Sequence, residues 1–219
     1  PLILSGEKAF RLRTLAHIAE TARWLDRQVI RAEDGLAEVA GWCGIVAAGL
    51  LLPDGRPRRL YGEAGLIKAL GELIGDDGGV LSRSPLAQME ALAMLVRLRN
   101  CYHATRRDAP SAMERVVEML VPPLLALTHG DGSLGSWQGG WAVDGEEVGD
   151  LVRASGVRTR PLRDVRQWGY QRIVANKSVL QFDTAPPPMV QHARFGCAST
   201  LAFEMSHAGQ RLIVNCGGA

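Results

Sequence analysis

Lysine is scarce in this 219-residue chain: only 3 of its 25 basic residues are Lys and the other 22 are Arg. Net charge is only +2, too little to draw the chain electrostatically to nucleic acid or a membrane surface. No apolar run is long enough to span a bilayer, and no signal peptide is visible. The chain starts at Pro1, so a leader could precede it. The four cysteines, Cys43, Cys101, Cys197 and Cys216, form no CxxC pair and lack metal-site spacing. Cys43 lies in an apolar stretch, as a small core residue does. There is no phosphate-binding G-x-x-x-x-G-K-[ST] loop and no G-x-S-x-G nucleophile elbow, which removes the commonest nucleotide-dependent and serine-hydrolase readings. What remains is a chain 47% hydrophobic and 22% charged, ordinary for a globular protein. Its arginines suit planar contacts with carboxylates or sulfates, although a GC-rich gene produces the same bias.

Apolar periodicity predicts helices over about 7–30, 36–52, 59–74, 85–105 and 111–127. In the first, Phe10, Leu12, Leu15, Ile18, Ala22, Leu25 and Val29 recur at three- and four-residue steps. The second is apolar nearly all round and is therefore expected between others. "PDGRPR" and "GDDGG" are stop signals, Pro85 opens a helix, and Ser111 with Glu114 reads as a capping box. No clear sequence repeat is visible. The pattern suits stacked helical hairpins such as an α/α toroid, with another helical bundle as the alternative.

The character changes after "THGDGSLGSWQGG" (128–140). A short helix is expected over 146–154. "YQRIVANKSVLQFDT" then reads as a β-hairpin, and "TLAFEMS" with "RLIVNC" as a second, the opening strands of an antiparallel sheet. "APPPM" is a stiff connector.

The strings "DDGGVLSRSP", "THGDGSLGSWQGG", "WGYQRIVANKSVLQFDTAPPP" and "STLAFEMSHAGQRLIVNCG", in this order, resemble the heparinase II/III-like family of bacterial polysaccharide lyases, over most of the chain. The resemblance implies an α/α toroid part over 1–145 and the start of a β-sandwich over 160–219, truncated. It also implies an active cleft on the toroid where the β-domain meets it. The implied chemistry is β-elimination on acidic, uronic-acid-containing polysaccharides: the carboxylate is neutralised, a base removes the adjacent carbon-bound proton, and an acid, often Tyr, protonates the leaving oxygen. No cofactor is implied, although some relatives carry a structural metal; this chain suggests no metal ligands. No nucleic-acid partner and no membrane span are expected, and the resemblance implies a periplasmic location.

On that basis Tyr170 and His192 are the candidate catalytic residues. Tyr170 sits at the start of the first hairpin, where it is either an acid or base at a cleft or a packed aromatic. His192 lies upstream of the "LAFEMS" strand, before which the family carries a His; an ungapped alignment puts Cys197 in that place, and a thiol is a poor base. The candidate substrate-binding residues are Arg83, Ser84, Gln88, His129, Asp131, Trp137 and Arg172. Arg83 and Arg172 are candidates for an acidic group, and Ser84 for a sugar hydroxyl or a helix cap. His129 with Asp131 is a candidate polar pair at the cleft rim or a helix terminus, and Trp137 a candidate stacking platform. Where relatives carry Tyr, and often His, shortly after the equivalent of Pro85, this chain has Leu86, Ala87 and Gln88. That departure keeps two alternatives open beside the lyase: a glycan-binding relative without acid and base, and a hydrolase using Asp131 or Glu204. His17, His103 and His207 imply no site.

An unfinished sheet leaves an open edge and an uncovered apolar face. Residues 1–219 expressed alone are therefore expected to be poorly soluble. A monomeric preparation that melts cooperatively would contradict this.

Overall fold

A computed structural model describes residues 8–162, 164–165, 168–194 and 196–216. Six α-helices come first: α1 (Lys8–Gln28), α2 (Gly35–Leu51), α3 (Arg56–Leu73), α4 (Pro85–Ala104), α5 (Ser111–Ala126) and α6 (Gly145–Ser155). Five strands follow: β1 (Asp164–Val165), β2 (Tyr170–Ala175), β3 (Ser178–Asp183), β4 (Phe203–His207) and β5 (Gln210–Ile213). They form one antiparallel sheet in sequential order.

The helical part is built around α2. Val39, Trp42, Ile45, Val46 and Leu50 are buried there, as expected for a helix apolar on all sides. Asp34 caps it by accepting the Ala37 amide at 2.8 Å. The α3 backbone approaches closely because Gly65 lies flat on the Trp42 ring; a β-carbon there would overlap the indole. Burial pushes the Cys43 thiol up to about 12, with the neighbouring Cys101 adding to the effect, so it is an inert core group. The apolar stripe of α1 is only partly covered: Ala22 is buried, but Phe10 and Leu12 are exposed. The capping-box expectation at Ser111 is corrected. The α5 N-cap is Pro110, without a side-chain bond, and the Ser111 hydroxyl instead accepts from Arg115.

Two loops carry the same turn. After α3, Ile74 bridges Val80, the Asp77 carboxylate accepts the Gly79 amide at 3.1 Å, and Gly78 has φ +82°. After α5, Thr128 bridges Leu134, Asp131 accepts the Ser133 amide at 2.9 Å, and Gly132 has φ +83°. In each, the Asx turn and the positive φ at the glycine close the loop locally. The hairpins thus repeat in backbone geometry where the sequence shows only a shared Asp-Gly.

Both loops face the sheet. The Asp77 carboxylate also accepts the Trp168 amide at 2.9 Å, and His129 meets Glu204 and Ser206 on β4. The inner face of the sheet carries Tyr170, Val179, Gln181, Asp183, Glu204 and Ser206, all buried. Its outer face carries Ile173, Leu180, Phe182, Phe203, Met205 and Ile213, of which Ile173, Phe203 and Ile213 are exposed. Both hairpins turn in two residues, and positive φ at Ala208 and Gly209 matches the right-handed strand twist.

Gly78 lies against the Met119 carbonyl, which Pro123 leaves without its helical N–H partner; a β-carbon at Gly78 would overlap that oxygen. Gly78→Ala is expected to cost about 2 kcal/mol or more, from positive φ and overlap together. Urea unfolding checks this, and an unchanged midpoint would contradict it.

Candidate functional site

The contact between helices and sheet is organised by Arg83. The turn after Val80 holds Arg83 at φ +61° and aims its side chain inward, where it is 4% exposed. The guanidinium donates to the Trp168 carbonyl at 2.8 Å and the Pro186 carbonyl at 2.6 Å, and pairs with the Asp183 carboxylate. It also lies 4.9 Å from the Tyr170 ring centroid. Asp183 accepts in addition from the Ser199 hydroxyl at 2.6 Å and the Ala185 amide at 3.2 Å. The Ser199 hydroxyl accepts from Gln138 Nε2 at 2.7 Å, and Gln138 Oε1 accepts the Cys197 amide at 2.8 Å. A continuous buried network therefore joins the α3–α4 loop, the 128–140 loop and the connector between β3 and β4.

Several expected site residues belong to this frame rather than to a surface. Tyr170 is buried, donates its hydroxyl to the Arg83 carbonyl at 2.8 Å and packs edge-on against Trp168. Burial raises its ionisation well above the ordinary tyrosine range, against the Arg83 charge. Trp137, expected as an exposed platform, is fully buried, with its Nε1 donating to Gln181 Oε1 at 3.1 Å. Gln88 is also fully buried: Nε2 donates to the Gly78 and Leu120 carbonyls at 2.7 and 2.9 Å, and Oε1 accepts the Val80 amide at 2.8 Å. Its amide is thus committed to holding the α3–α4 loop against α5.

The expected pairing of His129 with Asp131 is corrected. The His129 ring is buried between Glu204 Oε2, at 2.7 Å from Nε2, and the Ser206 hydroxyl, at 3.2 Å from Nδ1. Glu204 Oε1 accepts the Ser136 and Asn215 amides at 3.1 and 2.9 Å, so this carboxylate is enclosed by the loop and sheet. Asp131 is exposed and turned toward Ser133. Burial works to raise its pKa, but the Ser133 hydroxyl and amide and the nearby Arg211 together hold the carboxyl below its usual value. Arg172 is half-buried and donates to the Thr128 carbonyl at 3.4 Å; its buried Nε has no partner, and desolvation lowers its pKa.

Beside this frame lies an open cleft of about 290 Å³ between the N-termini of α2 and α4, the 138–141 turn, and Gln191, His192, Arg194 and Gly196. Of the candidates, His192 and Ser84 line it. Ser84 is also the α4 cap, accepting the Ala87 amide at 3.4 Å. The wall includes Ala87, Glu90, Trp141 and Arg194. Trp141 is 64% exposed, and it is the aromatic that sequence reasoning missed. The signal was available: "GGW" places Trp141 after the two glycines that end the turn, whereas Trp137 precedes them. Arg194 is held by Glu33 at 2.5 Å and Asp34 at 3.2 Å. None of the chain's three tyrosines lines the cleft. Among the described residues no group of three or more His, Cys, Asp or Glu could hold a metal, and no helix is long and apolar enough to cross a membrane.

Helical hairpins are packed by paired loops onto an antiparallel sheet, and the cleft lies at their junction. Residues 157–219 match the family model described as Heparinase II/III-like, C-terminal. The crystal structure of heparinase III superposes with a TM-score of 0.73 at 14% identity, over 98% of this chain and 40% of that one. The heparan sulfate lyase HepC from Pedobacter heparinus gives 0.68 at 16% identity, over 95% and 36%. FtsZ-localized protein C from Caulobacter vibrioides is 29% identical over 201 residues, 92% of this chain and 34% of that protein. The chain thus spans about a third of that curated relative's length. The chain is similar to the heparinase II/III-like family over its C-terminal 63 residues, 157–219, and its fold is the helical toroid part followed by sandwich strands that these structures share.

The Arg83–Asp183 pair is buried on both sides. Asp183→Ala, which strands the guanidinium, is expected to destabilise by about 3–5 kcal/mol. Arg83→Met combined with Asp183→Leu is expected to cost less than the two single changes together. Denaturant unfolding of the four proteins checks this; strict additivity would contradict the coupling.

Proposed function

We propose that the junction cleft binds a glycan and that this chain lends it no acid for elimination. The observation that carries this reading is the exchange of aromatic roles. Trp141 stands exposed on the cleft wall, while Tyr170 spends its hydroxyl on the Arg83 carbonyl inside the frame. Sugar rings present apolar faces that stack on an indole, and the hydroxyls around them suit His192, Ser82 and Gln191 in the same wall. Ala87 and Leu86, in the place where lyase relatives are expected to carry their tyrosine, offer the cleft no proton. The fold relationship to polysaccharide lyases supports a polysaccharide as the ligand class, and the binding needs no cofactor. A periplasmic location belongs to the same proposal and is supported by the family resemblance.

The full-length protein incubated with uronate polysaccharides is expected to give no ultraviolet absorbance from an unsaturated uronate. Glycan binding by calorimetry is expected to weaken about tenfold in Trp141→Ala, the equivalent of 1.4 kcal/mol. An absorbance rise that vanishes in His192→Ala would replace this reading with a lyase using His192 as base.

The 29% identity to a relative named FtsZ-localized favours a second reading, recruitment to FtsZ, that concerns placement rather than the cleft. Co-localisation of the tagged full-length protein with FtsZ would support it, and uniform envelope fluorescence would count against it.

A further inference from the structure

The cleft does not end at Trp141. A second hollow of about 580 Å³ adjoins it, and Leu86, Glu90 and Trp141 line both. Together they form one groove along the start of α4 with Trp141 at its middle, which gives room for more than one sugar. The charges of this groove oppose the acidic ligand that the family resemblance implies. Its carboxylates are Asp34, Glu90, Asp144 and Glu147, and its cations Arg97 and Arg194. Arg194 is already held by Glu33 and Asp34. Arg83, the arginine expected to neutralise a uronate, is sealed in the frame by Asp183.

Glu90 is different. It is exposed, and among the described residues it has no hydrogen-bond or ion-pair partner. An unpaired carboxylate and an exposed indole, shared by the same two hollows, form the arrangement that recognises an ammonium group: the ring face attracts the cation and the carboxylate pairs with it. We infer that the groove selects a glycan bearing free amino groups, a hexosamine polymer that is not N-acetylated, in place of a uronate polymer. This rests on the glycan-binding reading above. Polyanionic chains are disfavoured because the excess of carboxylates meets them with like charge.

Calorimetry with the full-length protein tests this using chitosan, chitin and hyaluronan hexamers at low and moderate salt. The chitosan hexamer is expected to bind at least tenfold more tightly than the other two. Its affinity should fall with salt, drop about fivefold or more in Glu90→Gln, and be lost with Trp141→Ala. Glu90 is exposed, so E90Q leaves the fold intact, and circular dichroism verifies this. Equal or tighter binding of chitin or hyaluronan, lost with Trp141→Ala, would overturn the amine selectivity and leave the glycan site standing. Chitosan binding that E90Q does not weaken would overturn the role of Glu90 and the inference with it. Binding of none of the three would overturn both the inference and the reading beneath it.

Discussion

Everything at the junction of helices and sheet depends on one buried guanidinium. Arg83 enters from a turn with positive φ and ties three carbonyl and carboxylate groups of the β-part to the start of α4. A buried charge is costly unless it is paired and fully hydrogen-bonded. That cost fixes the positions of Asp183, Ser199 and Gln138, because each satisfies the next. The cleft is the gap left beside this network. Its walls keep their spacing because the residues behind them cannot shift without stranding a charge.

The same constraint accounts for the division between buried and exposed chemistry. Tyr170 closes the frame by donating to the Arg83 carbonyl and packing among Trp137 and Trp168. His129 seals the other loop against Glu204 and Ser206. These groups have the composition of a catalytic site and the surroundings of a core. The groups that meet solvent are fewer: Trp141, Glu90, His192 and the Arg194 pair.

Most of the fold was legible in the sequence. The helix ends fall within a few residues of their expected places, because Pro, Gly and the Asp-Gly turns act locally. Both hairpins were marked by alternation and short turns. The site was less legible, for a physical reason. Trp137 and Trp141 stand four residues apart in one glycine-rich loop, and which of them is buried depends on Gln181, a partner distant in sequence. Gln88 was expected to hydrogen-bond a substrate, yet it binds three backbone groups that no local pattern predicts. Arg83 was expected to meet an acidic group of a substrate, but the structure pairs it with the chain's own Asp183.

The central claim is that ligand meets this chain at Trp141, in the groove beside the Arg83 frame, while the frame stays closed. A crystal structure of the full-length protein with a bound hexosamine oligosaccharide tests it most directly. The account predicts a sugar ring stacked on Trp141, within reach of Glu90, with the Tyr170 hydroxyl still on the Arg83 carbonyl. A sugar bound elsewhere, or Tyr170 turned out to meet it, would contradict the account.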